Sequence, residues 1–200
     1  GGMRSFSRHD GVFYAGVVDA VHQLVAADPA TGAPARFAPI PGPSATVNDL
    51  ASHPLGLLVA TTNALHLYRP ESGFRPLLQR PEDLGVVWTS PADPARVFLG
   101  GSKSLVIGRL DAAGFTIDHE DATFGSSELI TPVGGDTIWV GTRARGFFRV
   151  RAGSGADGWR RPTVEAFAER EGLPPTRGYT AVFLAPWGPS FFTSEGTWQL

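Results

Sequence analysis

The sequence predicts an all-β fold, a β-propeller of four-stranded antiparallel blades, and three features of the chain favour it. Two large apolar residues followed by two small ones recur five times, at 13–16, 58–61, 98–101, 139–142 and 191–194. A second apolar run follows each copy within a few residues, and turns rich in glycine and proline separate the runs. Short strands that repeat about every 40 to 50 residues are typical of propeller blades, which stack because one sheet cannot bury both of its faces alone.

The second repeat contains all four strands of a blade. Its apolar pattern predicts strands at 47–53, 57–62, 65–69 and 74–80. The turn Pro70-Glu71-Ser72-Gly73 joins the third strand to the fourth, and related turns occur at 28–32 and 111–114, in register with the repeat. Proline presets φ and glycine tolerates a positive φ, so this turn chemistry supports the blade assignment.

The other repeats extend the assignment over one propeller domain, 1–200. The predicted blades cover 4–41, 47–80, 85–122, 126–169 and 179–200. The stretch at 164–169 contains helix formers, but the repeat favours an outer strand followed by a loop. The fifth repeat ends after its third strand. The chain is therefore either a five-bladed ring with one incomplete blade or, as we expect, an excerpt of a longer propeller, because closed propellers leave no open edge.

Composition excludes several classes of protein. Hydrophobic residues make up 42% of the chain and charged residues 18%, which is enough apolar material for a core. The formal net charge is -2, without long runs of either sign, which argues against nucleic-acid binding and against anionic membranes. The chain has no cysteine, so a disulfide scaffold, a thiolate metal site and a cysteine nucleophile are excluded. No apolar stretch reaches the length of about 18 residues that a membrane-spanning helix needs.

The fourth and fifth repeats carry a more specific pattern. Residues 136–142, Asp-Thr-Ile-Trp-Val-Gly-Thr, and 146–150, Gly-Phe-Phe-Arg-Val, resemble the two-component regulator propeller repeat. A further copy begins with Glu-Gly-Leu-Pro at 171–174 and continues to Trp198, whereas the first three repeats diverge from the pattern. The resemblance implies a sensor region of a bacterial histidine kinase or related regulator, with a seven-bladed propeller outside the inner membrane. It implies no catalytic residue, and it predicts an extracytoplasmic, periplasmic location.

Ligands of propellers usually meet the turns between second and third strands and the connections between blades, around the central channel. The candidate ligand-binding residues chosen on this basis are Asp19, Trp88, Lys103, Arg143, Arg145, Arg177, Trp187 and Glu195. The four basic residues among them form a predicted basic lip, because guanidinium groups pair well with carboxylate, sulfate and phosphate. Trp88 and Trp187, predicted in first strands, are candidates for stacking on a ligand ring. The alternative interpretation is that the charges are ordinary solvated loop residues.

Other side chains leave alternatives open. Asp19, Glu128 and Glu195 would be the carboxylates of a glycoside hydrolase sited in the channel. The histidines lack the spacing of metal ligands, and His22 and His66, at equivalent places in third strands, indicate a packing role. We expect no metal and no cofactor. Four tryptophans are predicted to lie between blades, namely Trp88, Trp139, Trp187 and Trp198. Trp159 lies in the extension of the fourth repeat, either as a contact surface or packed over that loop.

The sequence therefore predicts a non-enzymatic ligand-sensing or ligand-binding module of a bacterial signalling protein. A protein-interaction scaffold is the first alternative, and a glycoside hydrolase or lyase sited in the channel is the second. The expected partners are a small-molecule or oligosaccharide ligand and other domains of a larger protein, and open sheet edges would allow a homodimer. Neither nucleic acid nor direct membrane insertion is expected.

Overall fold

The computed structural model describes residues 2–155, 158–174 and 180–199. In these ranges the strands form five antiparallel sheets, and the helical content is limited to three 3₁₀ turns of three residues each. Within each sheet the strands follow one another in chain order. This is the arrangement of propeller blades, so the predicted all-β fold class is confirmed. We number the sheets as blades 1 to 5.

The chain packs into two compact units, Gly1–Val87 and Trp88–Leu200. The first unit contains blades 1 and 2 and the beginning of blade 3. Blade 1 consists of β1 (Met3–His9), β2 (Val12–Val17), β3 (Val21–Val25) and β4 (Arg36–Ile40). Blade 2 consists of β5 (Val47–His53), β6 (Gly56–Thr61), β7 (Ala64–Arg69) and β8 (Gly73–Gln79). Both middle strands of blade 2 are almost fully buried, as continuous apolar strands require.

The second unit contains the rest of blade 3 and blades 4 and 5. Blade 3 consists of β9 (Leu84–Thr89), β10 (Arg96–Gly101), β11 (Leu105–Leu110) and β12 (Phe115–Asp121). Blade 4 consists of β13 (Ser127–Pro132), β14 (Thr137–Thr142), β15 (Phe147–Arg151) and β16 (Thr163–Phe167). Blade 5 has three described strands, β17 (Ala181–Ala185), β18 (Gly188–Thr193) and β19 (Gly196–Gln199).

The strands predicted for the second repeat agree with β5 to β8 to within one residue. The stretch after residue 163 is also as predicted. It forms β16 and then a short 3₁₀ turn, Glu169–Glu171, with no longer helix. The turn at 28–32 is fixed by Asp28, whose carboxylate accepts hydrogen bonds from the Ala30 N–H (2.9 Å) and the Thr31 hydroxyl (2.7 Å).

The predicted register of the apolar repeat is wrong by one residue in the first and last blades. Pairing across the second and third strands makes five residues equivalent, namely Gly16, Ala60, Gly100, Gly141 and Phe192. The repeat therefore begins at Tyr14 and Ser190, one residue away from the predicted Phe13 and Phe191. A shift of one residue exchanges the two faces of a strand. Accordingly Tyr14 is only 2% exposed, whereas Phe13 is half-buried and stacks on Phe6.

The first large residue of the repeat joins one blade to the next. Tyr14 packs edge-on against Tyr68 of blade 2, with ring centroids 5.9 Å apart. In the second unit, Trp139 packs edge-on against Phe191 of blade 5 at 5.0 Å. Phe98 meets Trp159 at 4.9 Å, and Trp159 is 8% exposed. Trp159 is therefore a packing residue and not an exposed contact surface. Its indole fills the space beside blade 3.

The small residue of the repeat allows the next blade to approach closely. A Cβ atom at Gly16 would lie 2.7 Å from Cγ1 of Val47 in the first strand of blade 2. A Cβ atom at Gly141 would lie 2.9 Å from the hydroxyl of Thr180, next to the first strand of blade 5. Real Cβ contacts are longer than this, so the glycines of the repeat serve blade packing.

Trp187, one of the tryptophans predicted between blades, does not lie there. It belongs to the turn between β17 and β18, not to a first strand, and it is 69% exposed. Trp198 on β19 is 37% exposed and pairs with the buried Phe191, which packs against blade 4. The prediction for Trp187 assumed that an apolar residue near a repeat copy faces a neighbouring blade. The β17–β18 hairpin turns at residue 186, which carries Trp187 beyond the end of the sheet.

Candidate functional site

Three of the four residues of the predicted basic lip, Lys103, Arg143 and Arg145, lie at one end of blades 3 and 4. In an antiparallel sheet built in chain order, the turn between the second and third strands lies at the same end as the segment that enters from the previous sheet. We call this end of the second unit the connection end, and define it by residues 102–104, 122–126 and 143–146. The turns between first and second strands lie at the opposite end, which we call the hairpin end.

The segment between blades 3 and 4 is held by a polar cap and by an apolar contact with blade 4. Asp121 caps the 3₁₀ turn Ala122–Phe124, because its carboxylate accepts from the N–H (2.7 Å) and the hydroxyl (2.6 Å) of Thr123. Phe124 is fully buried and packs on Phe148 of blade 4 with ring centroids 4.8 Å apart. The buried Phe124 therefore anchors the segment to blade 4.

Thr142 fixes the turn that carries the arginines. Its hydroxyl donates to the Gly146 carbonyl (2.8 Å) and accepts from the Arg145 N–H (3.1 Å). Thr61 makes the same pair of contacts with Ala64 in blade 2, at 3.0 and 3.1 Å. Threonine at the end of the second strand therefore acts as a clasp for the following turn, which explains its place in the repeat.

The arginine turn is tied to the segment between the blades. The Arg145 guanidinium donates to the Thr123 carbonyl at 2.6 Å, and the Arg143 N–H donates to the Ser126 carbonyl at 3.2 Å. Both arginines are exposed. One guanidinium thus supports the loop structure, while the side chain of Arg143 lies on the surface of an ordered turn. Because the turn is already ordered before a ligand arrives, binding an anion there has a lower entropic cost.

Lys103 lies in the equivalent turn of blade 3 and is exposed. It makes no hydrogen bond or ion pair with any residue the structure describes. The neighbouring Ser104 hydroxyl donates to Glu120 at 3.3 Å, so an acidic group is present close to this turn. The connection end therefore presents three cationic side chains from two successive blades, Lys103, Arg143 and Arg145, in a chain of net charge -2.

The other predicted site residues are distributed as follows. Asp19 and Glu195 are exposed in the second-to-third-strand turns of blades 1 and 5. Trp88 lies in the first strand of blade 3, as predicted, and is half-buried against Phe98 at 5.8 Å. Trp187 lies at the hairpin end, away from the arginine turn of the second unit. Arg177 lies outside the described residues, and nothing is described of the Glu128 side chain.

The sequence did not indicate the buried carboxylate of Asp49 in the first unit. Asp49 accepts from the Ser5 hydroxyl (2.6 Å), the Leu50 N–H (2.8 Å) and the Val87 N–H (2.9 Å). Burial raises the pKa of this carboxyl, and the three hydrogen bonds oppose that rise. Asp49 therefore connects the first strands of three successive blades. Because donors occupy both of its oxygens, its role is structural.

Replacing Thr142 by valine tests whether the clasp orders the arginine turn. Valine keeps the shape of the side chain, which is fully buried, but leaves the Gly146 carbonyl and Arg145 N–H without this partner. We expect Thr142→Val to lower the free energy of unfolding by about 1 to 3 kcal/mol, measured by urea denaturation. Thr137→Val in the same strand is the control, because the Thr137 hydroxyl bonds to Asp136 at the surface. Equal losses in the two variants would contradict the clasp.

Neither a metal centre nor a membrane-spanning helix is found in the described part of the chain. Among residues 2–155, 158–174 and 180–199, no three His, Asp or Glu side chains converge in a way that could hold a metal ion. None of the helices described is long and apolar enough to cross a bilayer.

Comparison with known proteins supports the fold. No protein-family model matches the chain, and no curated protein matches it. Among solved structures, the extracellular domain of a candidate hybrid two-component system of B. thetaiotaomicron, BT4673, superposes with a TM-score of 0.70 at 13% identity over 98% of this chain. The corresponding domain of BT3049 from the same organism gives a TM-score of 0.65 at 12% identity, again over 98% of this chain.

These similarities extend over only part of the other proteins. The chain covers 26% and 28% of the two extracellular domains. A weaker likeness, with a TM-score of 0.61 at 10% identity over 82% of this chain, is to a candidate 6-phosphogluconolactonase of Bacteroides uniformis, of which the chain covers 53%. At these identities the likeness is one of fold.

Proposed function

We propose that this chain is part of a non-enzymatic, ligand-sensing β-propeller module of a bacterial signalling protein. The observation that carries the proposal is the basic turn of blade 4, in which Thr142 and the Thr123 carbonyl hold Arg145, and the Ser126 carbonyl accepts from the Arg143 N–H. The same blade carries the sequence that resembles the two-component regulator repeat. The fold likeness to two extracellular domains of two-component systems supports the signalling role and an extracytoplasmic location.

The proposed ligand is a small molecule or oligosaccharide with a carboxylate, sulfate or phosphate group. Guanidinium groups pair with such groups through two parallel hydrogen bonds, and Lys103 adds a compact charge from the neighbouring blade. Arg177 and Glu195 remain predicted contributors, as do Asp19 and Trp88. Further blades of a seven-bladed ring and an output domain are proposed as well, because the chain covers about a quarter of each of the two extracellular domains of two-component systems that it resembles.

A protein-interaction scaffold is the second candidate function, and one observation favours it. Three large apolar side chains of the β17–β18 hairpin are exposed, namely Phe183 (44%), Leu184 (51%) and Trp187 (69%). Large apolar side chains exposed in one hairpin are found at protein contact surfaces. Trp187, predicted to stack on a ligand, is proposed instead as part of such a surface, because it lies at the hairpin end.

An enzymatic function is the weakest candidate. The likeness to a candidate lactonase is one of fold, and folds of this kind serve many functions. A glycoside hydrolase would need two carboxyl groups at a fixed separation across a substrate. Of the carboxylates considered for this role, Asp19 and Glu195 are exposed turn residues of blades 1 and 5.

Binding of charged monosaccharides tests the proposed function. The probes are glucuronate, glucose 6-sulfate and glucose 6-phosphate, with neutral glucose as the reference, and binding is measured by isothermal titration calorimetry at low salt. We expect at least one anionic probe to bind and glucose not to bind. Arg143→Ala should weaken that binding about tenfold, while the melting temperature stays within about 1 °C, because a charge-assisted hydrogen bond contributes about 1.5 kcal/mol or more.

Arg151→Ala is the matched control. Arg151 is exposed like Arg143 and belongs to the same blade, but it lies at the opposite end of β15. The Arg151→Ala variant should bind the anionic probe with the affinity of the wild type. Equal weakening in both variants would mean that only the overall charge matters. Recovery of a chemically altered probe would contradict the non-enzymatic assignment.

A further inference from the structure

An apolar pocket of about 330 Å³ lies beside the outer strands of blade 2, in the first unit. Its walls come from the segment that enters blade 2 and from β8, and its lining consists of Pro41, Gly42, Pro43, His66, Phe74 and Pro76. Half of these residues are prolines, and no side chain of the lining is an acid, a lysine or an arginine. The pocket is thus distinct from the basic turn of blade 4 in residues and in chemistry.

The segment that enters blade 2 gives the pocket a fixed wall. A Cβ atom at Gly42 would lie 2.5 Å from Cε2 of Phe74, so the backbone at residue 42 rests directly on the phenyl ring. Phe74 also packs against Tyr68 with ring centroids 4.7 Å apart. These two contacts hold the phenyl ring in place, and the prolines restrict the motion of the chain around it.

His66 is the polar group of this pocket. The side chain lies on β7 opposite Pro76 and is 8% exposed, yet its imidazole makes no hydrogen bond with any residue the structure describes. Burial lowers the pKa of His66, so the ring is neutral near pH 7 and offers one N–H donor and one acceptor nitrogen. His66 lines the pocket, so a ligand bound there can reach the imidazole nitrogens.

The lining restricts the class of ligand. A charged ligand would find no opposite charge in the pocket, and a sugar would find one polar side chain for its many hydroxyl groups. Flat proline faces and a fixed phenyl ring suit an aromatic ring, and the imidazole suits a single hydroxyl. The size is sufficient, because a cavity of about 150 Å³ holds benzene.

We propose that this pocket binds a monophenol, with its ring between the prolines and Phe74 and its hydroxyl hydrogen-bonded to the His66 imidazole. The ligand is either a free phenol or a tyrosine side chain of a partner, since both present the same group. This site is independent of the proposed anion-binding turn, and either can fail without the other.

The test compares two probes that differ by one hydroxyl, 4-fluorophenol and fluorobenzene, in ¹⁹F NMR titrations of the intact protein. We expect the wild type to bind 4-fluorophenol saturably and at least fivefold more tightly than fluorobenzene. His66→Leu should abolish this preference and leave the affinity for fluorobenzene unchanged. His22→Leu is the matched control, because His22 occupies the equivalent position of blade 1, opposite Pro39. It should leave both affinities unchanged.

Absence of saturable binding of 4-fluorophenol to the wild type would overturn the proposal, as would an unchanged preference in His66→Leu. His66→Leu replaces a buried side chain and so changes stability as well as binding. A second measurement therefore uses the unsubstituted protein. Addition of 4-fluorophenol should shift the imidazole resonances of His66 and leave those of His22 in place. The absence of a His66 shift would equally overturn the proposal.

A titration with N-acetyltyrosinamide distinguishes a free phenol from a tyrosine side chain of a partner. Binding comparable to that of 4-fluorophenol assigns the pocket to a tyrosine side chain, and weaker binding assigns it to a free monophenol.

Discussion

Replacing Trp139 by alanine is expected to lower the free energy of unfolding by about 3 to 5 kcal/mol, the loss usually found when a buried tryptophan is truncated. Trp139 is 4% exposed and lies between two aromatic rings, Phe167 of its own blade at 4.9 Å and Phe191 of blade 5 at 5.0 Å. The Arg149 guanidinium lies over the indole at 5.6 Å. Truncation would leave a cavity between two blades, which cannot close without moving one of them.

Trp187→Ala is the matched control, because it removes the same side chain from a position that is 69% exposed. Its effect on the free energy of unfolding should stay within about 0.5 kcal/mol. Urea denaturation of both variants measures the difference. If the two variants lose the same stability, the indole of Trp139 does not join the blades and the assignment of the repeat position is wrong.

Gly146→Ala is expected to lower the free energy of unfolding by about 2 to 5 kcal/mol, for two reasons that add. Gly146 has φ +82°, a conformation that costs an L-residue about 1 to 2 kcal/mol. A Cβ atom would also lie 2.4 Å from the Phe167 carbonyl oxygen, a backbone atom of the neighbouring strand, and overpacking of this kind costs a further 1 to 3 kcal/mol or so. The glycine that opens the third strand is therefore required by the turn and by the strand beside it.

Gly134→Ala separates the two contributions. Gly134 has φ +77°, nearly the same as Gly146, but a Cβ atom there would meet nothing within 4 Å. We expect this variant to lose about 1 to 2 kcal/mol, the cost of the backbone conformation alone. Thermal and urea unfolding of the two variants give the comparison. An equal loss at both positions would mean that the Phe167 carbonyl moves freely and that β16 is loosely held.

The sequence predicted the blades well because their signals are local. The strands of blade 2 follow from apolar runs bounded by proline and glycine. The outer strand β16 follows from the repeat, which outweighs the helix formers at 164–169. The register of the first and last blades was harder to predict. Phe13 and Tyr14 are both large and aromatic, and only the pairing with β3 shows that Tyr14 faces the next blade.

The contacts of the candidate site depend on residues far apart in the chain. Arg145 and Thr123 are 22 residues apart, and Asp49 binds the Ser5 hydroxyl across 44 residues. The type of residue at one position does not indicate which distant residue it will contact. The Thr142 clasp could have been found, since Thr61 stands at the same place in blade 2. Phe124 could also have been found, as an aromatic residue between predicted strands that is followed by glycine.

The central claim is that the connection end of blades 3 and 4 binds an anionic ligand. Hydrogen–deuterium exchange of the intact protein, with and without saturating glucuronate, glucose 6-sulfate or glucose 6-phosphate, tests it most directly. With at least one probe, exchange should slow in peptides covering 122–126 and 142–147, and it should not change in the β17–β18 hairpin at the hairpin end. Unchanged exchange at 142–147 with all three probes, or slowing confined to the hairpin around Trp187, would contradict the account.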